Sequence, residues 1–374
     1  MGNAKSERLL SLDVFRGITI AGMILVNNPG SWDYVYPALE HAKWNGITPT
    51  DLIFPFFLFI VGVATTLSLS KRKQRGDDQK KLALQILRRA VIIFLLGLLM
   101  AAFPNFNFAT VRIPGVLARI AVVYLITSLI YLKANTRTLT ILSAVILLLY
   151  WAIMTLIPVP GVGYANLEPS TNLGAWLDRM IFGRHIWYYS KTWDPEGLLS
   201  TLPAISTAIF GILTGEWLRR SDIENSTRTV WMFFWGNVGL LLGTIWDMWF
   251  PINKNLWTSS YVVFTAGMAL QFLAMCYWLI DVKGYTKWTK PFVVYGMNAI
   301  AVYFLSGIVA RALYMPKVTD AAGNLIDLRV YIYNVLFASW LPGLNASLAW
   351  AIMYVLFWLG VMWIFYTKKI FIKV

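Results

Sequence analysis

Runs of about 20 almost uncharged residues, the length that crosses a bilayer core as a helix, recur along this 374-residue chain. Ile86 to Pro104, Leu139 to Ile157 and Leu348 to Tyr366 are three of them. Such runs imply helices rather than barrel strands. Ten spans are expected, at 12–30, 50–70, 86–104, 113–132, 139–157, 197–218, 230–250, 258–280, 291–313 and 343–366. The expected fold class is therefore all-α, a polytopic membrane protein with about ten transmembrane helices and both termini on one side. Only 13% of residues are charged, against roughly a quarter in soluble domains.

The placement of the charge orients the chain. Of 32 basic residues, 22 fall on the face that carries the termini, including Lys5, Arg8, Arg16, the "KRKQRGDDQKK" loop, Arg88, Arg89 and Lys373. The positive-inside rule assigns that face to the cytoplasm, and the face carrying His41 is extracytoplasmic. The net charge of +14 is thereby read as a topology signal, and no nucleic-acid partner is expected. The first span lacks a small-residue cleavage pattern and is expected to stay as an anchor. Cys276 is the single cysteine and only two histidines are present, so neither a disulfide nor a metal site is expected. Residues 1–374 are read as one membrane domain with an extracytoplasmic loop at 158–196. That loop is expected to hold one short helix around Leu173 to Phe182, and Leu328 to Trp340 is read as an interfacial or re-entrant helix.

Polar groups inside spans are expensive, so each is either paired or functional. Asp13, Arg16 and Asn27 stand in the first span. The 11-residue step from Arg16 to Asn27 returns to within about 20° of its starting direction and rises about 16 Å, which puts all three on one face. One reading is an Asp13–Arg16 pair that anchors the helix. The other is a transmembrane groove for an elongated anion. Coenzyme A fits that description, with phosphates at Arg16 and the thioester directed toward Asn27. Past Asn27, the stretch "LEHAKWNG" brings His41, Trp44 and Asn45, with Asp51 opening the second span. An imidazole there can hydrogen-bond at the interface, accept a proton at neutral pH or be acylated itself. Asp51 can orient it or cap the helix. His185 competes for the role from beside Trp187, Tyr188 and Tyr189. Arg119, about two turns into its span, should meet a carboxylate or a ligand phosphate. Asp194 and Glu196 in "DPEG" suit a helix N-terminus or an amino-sugar ammonium.

The segments "SLDVFRGITIAGMILVNN", "HAKWNG", "TPTDLIFPFFLFIVG", "RIPGVLARI", "DPEGLLSTLPAI", "PINKNLWTSSYVVFTAG" and "PFVVYGMNAI" resemble, in the same order, the heparan-α-glucosaminide N-acetyltransferase family and its bacterial relatives. The resemblance implies an enzyme that moves acetyl from cytosolic acetyl-CoA to the amino group of a glucosamine on the other side of the membrane. It implies His41 as the active-site histidine, Asn27 as its support, and Asp13 and Arg16 as cofactor contacts. On the same motifs Asp51 joins the catalytic set and Arg119 and Asn298 the cofactor contacts. Trp44, Asn45, Asp194, Glu196 and Asn255 are assigned to the acceptor. Ala118 stands where relatives carry Gln, and "AVYFLSG" lacks the histidine of animal forms. No counterpart of the long N-terminal luminal segment of the animal enzymes is expected. The implied setting is a bacterial inner membrane, with free glucosamine or a cell-envelope amino sugar as acceptor, membrane lipid as surroundings and a homodimer compatible with the reading. An O-acyltransferase of envelope sugars and an amino-sugar transporter are the competing readings. The ten-span arrangement requires that cysteines introduced as Lys43→Cys and Lys73→Cys label from opposite sides in intact cells; labelling from one side would refute it.

Overall fold

The computed structural model describes residues 9–372. Lys5, Arg8 and Lys373, used above to orient the chain, lie outside the described residues. The chain is an all-α polytopic membrane protein. Nine described helices are long and apolar enough to cross a membrane, or ten if one sharply bent pair is a single span. They are α1 (Leu10–Asn27), α2 (Ile53–Gln74, entered through a 3₁₀ turn at Pro49–Leu52), α3 (Gln79–Ala102), α4 (Val116–Lys133) and α5 (Thr136–Leu156). After the short α6 (Leu173–Phe182) follow α7 (Leu198–Leu218), α8 (Asn225–Asp247), α9 (Ser259–Tyr277) and the bent pair α10 (Lys290–Met297) and α11 (Ala299–Ala312). The chain then forms a small hairpin, the short helix α12 (Leu328–Tyr333), which runs on through a π-helical turn at Asn334–Ala338, and the last long helix α13 (Gly343–Thr367).

Helices α1, α2, α4 and α7 are mostly buried, whereas α3, α5, α8 and α13 expose most of their apolar windows. Leu84, Leu95, Leu148, Trp235 and Leu356 are among the exposed side chains, as a lipid-facing ring requires. In lipid the hydrophobic effect does not drive helices together, so close packing over small residues has to. The α2/α7 crossing shows this. A methyl group on Gly62 would lie 2.0 Å from the Ala208 carbonyl oxygen, and one on Gly211 would lie 2.0 Å from that of Phe59. Only glycine permits such an approach. The α1/α10 crossing repeats the device at Gly17, against the Phe292 carbonyl, and Gly296, against that of Asp13.

One expectation is refined and one element is new. The ninth span is not one straight helix from 291 to 313: it bends by 81° at the break between α10 and α11. Asn298 occupies the break and turns its amide to the C-terminal tail, donating to the Ile370 carbonyl at 3.1 Å and accepting from the Ile372 N–H at 2.9 Å. A bond to a distant backbone there replaces helix continuity. The antiparallel hairpin of Lys317–Thr319 with Leu325–Asp327 has no counterpart in the sequence reading. It is closed by Asp320, whose carboxylate accepts from Ala322 and Asn324, and by Gly323 at φ 86°. The short helix expected at 173–182 is present.

Because Gly211 has no room for a side chain, Gly211→Leu is expected to separate α2 from α7 and lower stability by at least the ~1–3 kcal/mol typical of overpacking. Gly360→Leu, on a helix face with nothing within 4 Å of the added carbon, is expected to be neutral. Thermal unfolding followed by size-exclusion fluorescence checks both, and equal melting of the two variants would refute the packing argument.

Candidate active site

The link between α1 and α2 ends in a capping box. Thr48 is the N-cap of the turn that opens the second span, and Asp51, three residues on, reaches back to it. Asp51 Oδ2 accepts from the Thr48 and Ala42 N–H groups, each at 3.0 Å, and from the Thr48 hydroxyl at 3.1 Å. That leaves Oδ1, which meets His41 Nδ1 at 2.7 Å. One fully buried carboxylate therefore both caps the helix and orients the imidazole. An ionised carboxylate can only accept, so Nδ1 carries the proton and Nε2 holds the lone pair. The His41 side chain is 48% exposed, so that nitrogen is reachable from solution. Tyr261 of α9 donates to the Asp51 carbonyl at 2.6 Å and ties the turn to the helix core.

Against the other side of the imidazole stands Lys254, whose Nζ lies 3.1 Å from both ring nitrogens and 3.9 Å from Asp51 Oδ1. It stands in the loop between α8 and α9, which is tightly cross-bonded. Asn253 accepts from the Leu256 N–H and donates to Asn45, Thr258 closes onto Asn253 and Pro251, and the Gly46 N–H bonds the Ile252 carbonyl. Trp257 is held in the left-handed region at φ 53°, a conformation that persists in a bulky residue only when its surroundings enforce it. Its buried ring packs edge-on to Phe54 and Tyr261 and donates to Thr207 at 3.1 Å. Burial pushes the Lys254 ammonium below its ordinary pKa, while Glu196 and Asp51 oppose that shift.

A second charged group borders this region. Arg112 bonds both Asp194 and Glu196, with its Nε 2.8 Å from Asp194. Burial would lower the guanidinium's pKa, but the two carboxylates outweigh it and raise it. Glu196 is held below its ordinary value because Arg112, Arg119 and Lys254 overcome the opposing effect of burial. Arg119 lies in the first turn of α4 and so at this end of the bundle, remote along α1 from the end where Arg16 sits. Among the described residues it hydrogen-bonds neither a carboxylate nor Arg16. Its Nη2 donates to the Gly197 carbonyl at 3.1 Å and to Ser200, and the guanidinium lies over the Trp257 indole at 5.0 Å. Trp44 donates to the Leu167 carbonyl at 3.0 Å and meets Trp193 edge-on. Trp44, Asp194 and Asn255 line a cavity of about 10 Å³ with Asp178 and Ser200, room for roughly one water. Asn45 bonds Asn253 instead.

At the opposite end of α1, Arg16 Nη1 donates to Asp13 at 3.1 Å and to the Gly296 carbonyl at 3.3 Å. The anchoring pair read from the sequence is formed, and Arg16 also faces a cavity. That cavity holds about 350 Å³ and is lined by Arg16, Arg89, Tyr124, Thr65, Ser68 and Gly296 among others, within the ~300–1,000 Å³ usual for ligand pockets. Arg89 lies over the Tyr124 ring at 5.0 Å. Asn298 is buried beside this wall with its amide on the C-terminal tail. Asn27 ends α1 exposed and makes no side-chain hydrogen bond among the described residues. His185 Nδ1 bonds the Val111 carbonyl at 2.8 Å while its own carbonyl accepts from Ile113, a loop-fastening role. Sequence reasoning passed over Lys254, Arg89 and Asp178. Lys254 was the findable one, because few basic residues lie on the His41 face and it stands inside the motif "PINKNLWTSS".

Together these observations define a polytopic helical membrane protein with a buried carboxylate–histidine pair at one end and an arginine-lined cavity at the other. Residues 8–243 match the family described as heparan-alpha-glucosaminide N-acetyltransferase, catalytic, and the chain belongs to that family. It is 32% identical to the human heparan-alpha-glucosaminide N-acetyltransferase over 80% of this chain and 53% of that protein. With the mouse protein of the same name the identity is 27% over 99% of this chain and 61% of that one. The chain thus spans little more than half the length of these two relatives.

Asp178 offers a test of the charge network around this site. It accepts from the Leu198 N–H at 2.9 Å and from that of Asp194, yet burial, aided by the charge of Asp194, pushes its carboxyl up to about 6. A carboxyl raised in the folded state stabilises at low pH, and that contribution is lost as the pH climbs from the ordinary value through 6. Two pKa units correspond to roughly 3 kcal/mol. Asp178→Asn is expected to flatten the fall in melting temperature between pH 4.5 and 7; parallel curves for variant and parent would refute the assignment.

Proposed function

We propose that this chain is a transmembrane N-acetyltransferase that takes acetyl from acetyl-CoA on the cytoplasmic side and delivers it to the amino group of glucosamine, or of a glucosamine-containing glycan, on the extracytoplasmic side of a bacterial inner membrane. The carrying observation is the 2.7 Å His41–Asp51 bond. It fixes the imidazole tautomer and presents an exposed base at one end of a helix whose other end offers Arg16 and a ligand-sized cavity. Membership of an acetyltransferase family supports the same reading.

The residues divide the work by position. Arg16 and Arg89 face the cavity with cationic nitrogens suited to CoA phosphates. Asp13 holds Arg16 in place, and Asn27 offers an uncommitted amide at the end of α1 toward which the thioester points. His41 Nε2 accepts the proton from the acceptor amine as its nitrogen attacks the thioester carbonyl, and Asp51 stabilises the imidazolium that results. The same proton then leaves with the CoA thiolate. Direct transfer within a ternary complex is the preferred route, because it exposes no hydrolysable acyl-imidazole to water.

His41→Ala is expected to fold, bind acetyl-CoA as the parent does and lose transfer by at least the ~10²-fold typical of a general base. Arg89→Ala, which leaves the Asp13–Arg16 pair intact, is expected to weaken acetyl-CoA binding by about 1.5–3 kcal/mol, the range for hydrogen bonds to charged groups. Calorimetry and a radiolabelled transfer assay in detergent check both. A base-labile product would indicate an ester and an O-acyltransferase, and uptake without any acetyl transfer would indicate a transporter. Label retained on a His41 peptide without acceptor would replace the ternary route by a covalent one.

A further inference from the structure

Lys254 has no part in the route above, yet its ammonium is held against the reacting nitrogen. Its Nζ lies 3.1 Å from His41 Nε2 and equally far from Nδ1. An ammonium has three N–H donors and no acceptor. Nδ1 already gives its proton to Asp51, and an ammonium equidistant from both ring nitrogens stands over the ring instead of along the in-plane Nε2 lone pair, so the imidazole is a poor acceptor for it. Asp51 Oδ1, at 3.9 Å, is beyond hydrogen-bond reach. Its N–H donors are thus left without a well-aligned acceptor beside an imidazole that is half exposed, while the Lys254 side chain is itself only 14% exposed. Burying an ammonium with so few partners is expensive, and the loop that enforces it is the cross-bonded one built around Asn253, with Trp257 locked at positive φ.

We propose that Lys254 is a catalytic residue that donates to the thioester carbonyl oxygen and stabilises the oxyanion formed there, an inference that rests on the acetyl-transfer reading. As the acceptor nitrogen bonds to the carbonyl carbon, the carbonyl π electrons move to oxygen, where the Lys254 ammonium meets the negative charge. His41 Nε2 takes the proton lost by the attacking amine. Collapse re-forms the carbonyl, breaks the carbon–sulfur bond and expels the thiolate, which takes that proton from His41. Lys254 ends the cycle with all its protons. In the resting state its ammonium stands over the imidazole, equidistant from the two ring nitrogens, and leaves the in-plane Nε2 lone pair open to the attacking amine.

The test separates charge at this place from mere support of His41. Lys254→Met, which keeps the length and removes the charge, is expected to lower kcat by the ~10²–10³-fold seen on loss of one oxyanion donor, with the KM for acetyl-CoA changed by no more than about threefold. Lys254→Cys is expected to be equally slow. Alkylating it with 2-bromoethylamine rebuilds an ammonium of nearly lysine length and is expected to restore kcat at least ~10-fold, whereas iodoacetamide is not. Buried Cys276 makes the parent chain, treated in parallel, the baseline. Parental kcat in folded Lys254→Met, or no recovery in a Lys254→Cys protein fully alkylated by mass, would overturn the assignment while leaving acetyl transfer in place. A parent chain that acetylates no amine offered would overturn the reading it rests on and this inference with it.

Discussion

The crossing of α2 and α7 is the contact on which the positions of the other groups depend. Lipid tails are as apolar as leucine, so buried helices gain little by hiding side chains from water and must gain by close atomic contact. Gly62 and Gly211 remove the side chains at the crossing, and the two backbones come together. The starts of the two helices are thereby brought to one end of the bundle. Asp51 stands at the start of α2, and Gly197 and Ser200 stand at the start of α7, where Arg119 docks. α9 joins them through Tyr261, which bonds the Asp51 carbonyl. A loosened crossing would therefore disturb the Asp51 carboxylate and the Arg112 cluster together.

Electrostatics at that end follow a consistent rule. Arg112 is surrounded by Asp194 and Glu196, while Lys254 is close to Asp51 and within the field of Glu196. Charges buried near a membrane surface survive only when paired and hydrogen-bonded. Lys254 meets that rule only weakly, and Arg119 departs from it, since its Nε and Nη1 are buried without a partner among the described residues. The Trp257 face compensates part of that deficit through a cation–π contact. Its ring is available because the backbone is forced to positive φ. The loop that carries the strained Trp257 thus reaches two other elements, with the indole against Arg119 of α4 and Lys254 against His41 of the α1–α2 link.

The two ends of α1 have opposite chemical characters. At the Arg16 end a cation pair-bonded to Asp13 borders a roomy cavity; at the other, exposed Asn27 leads to the loop of His41. Gly17 and Gly296 let α10 lie against α1 closely enough for the Gly296 carbonyl to accept from Arg16. The 81° bend that follows at Asn298 sets the start of α11, at Ala299 and Ile300, into the cavity wall. The break in the ninth span thus belongs to the architecture of this cavity.

The amino-acid sequence by itself determined the number and near-complete placement of the long helices, because the bilayer imposes a fixed length of apolar chain and the breaks between runs are polar. The Asp13–Arg16 pair was also legible, since i,i+3 spacing on one helix needs no tertiary information, and so was the candidacy of His41 beside Asp51, ten residues apart. What only the tertiary structure decided was which distant side chains converge. Lys254 lies 213 residues from His41, and nothing in local periodicity announces that a loop before α9 will fold over an imidazole before α2. Arg119 carries the same lesson: it was read about two turns into its span but stands in the first turn of α4, and its partners were not readable either. They come from α7 and the loop before α9 and are a carbonyl, a hydroxyl and an aromatic face instead of an opposite charge. The bend at Asn298 was hidden as well, because its cause is a hydrogen bond to the tail some 70 residues later. Membrane length is a one-dimensional constraint and is written along the chain, whereas pairing of buried polar groups is settled only by which helices the glycine contacts bring together.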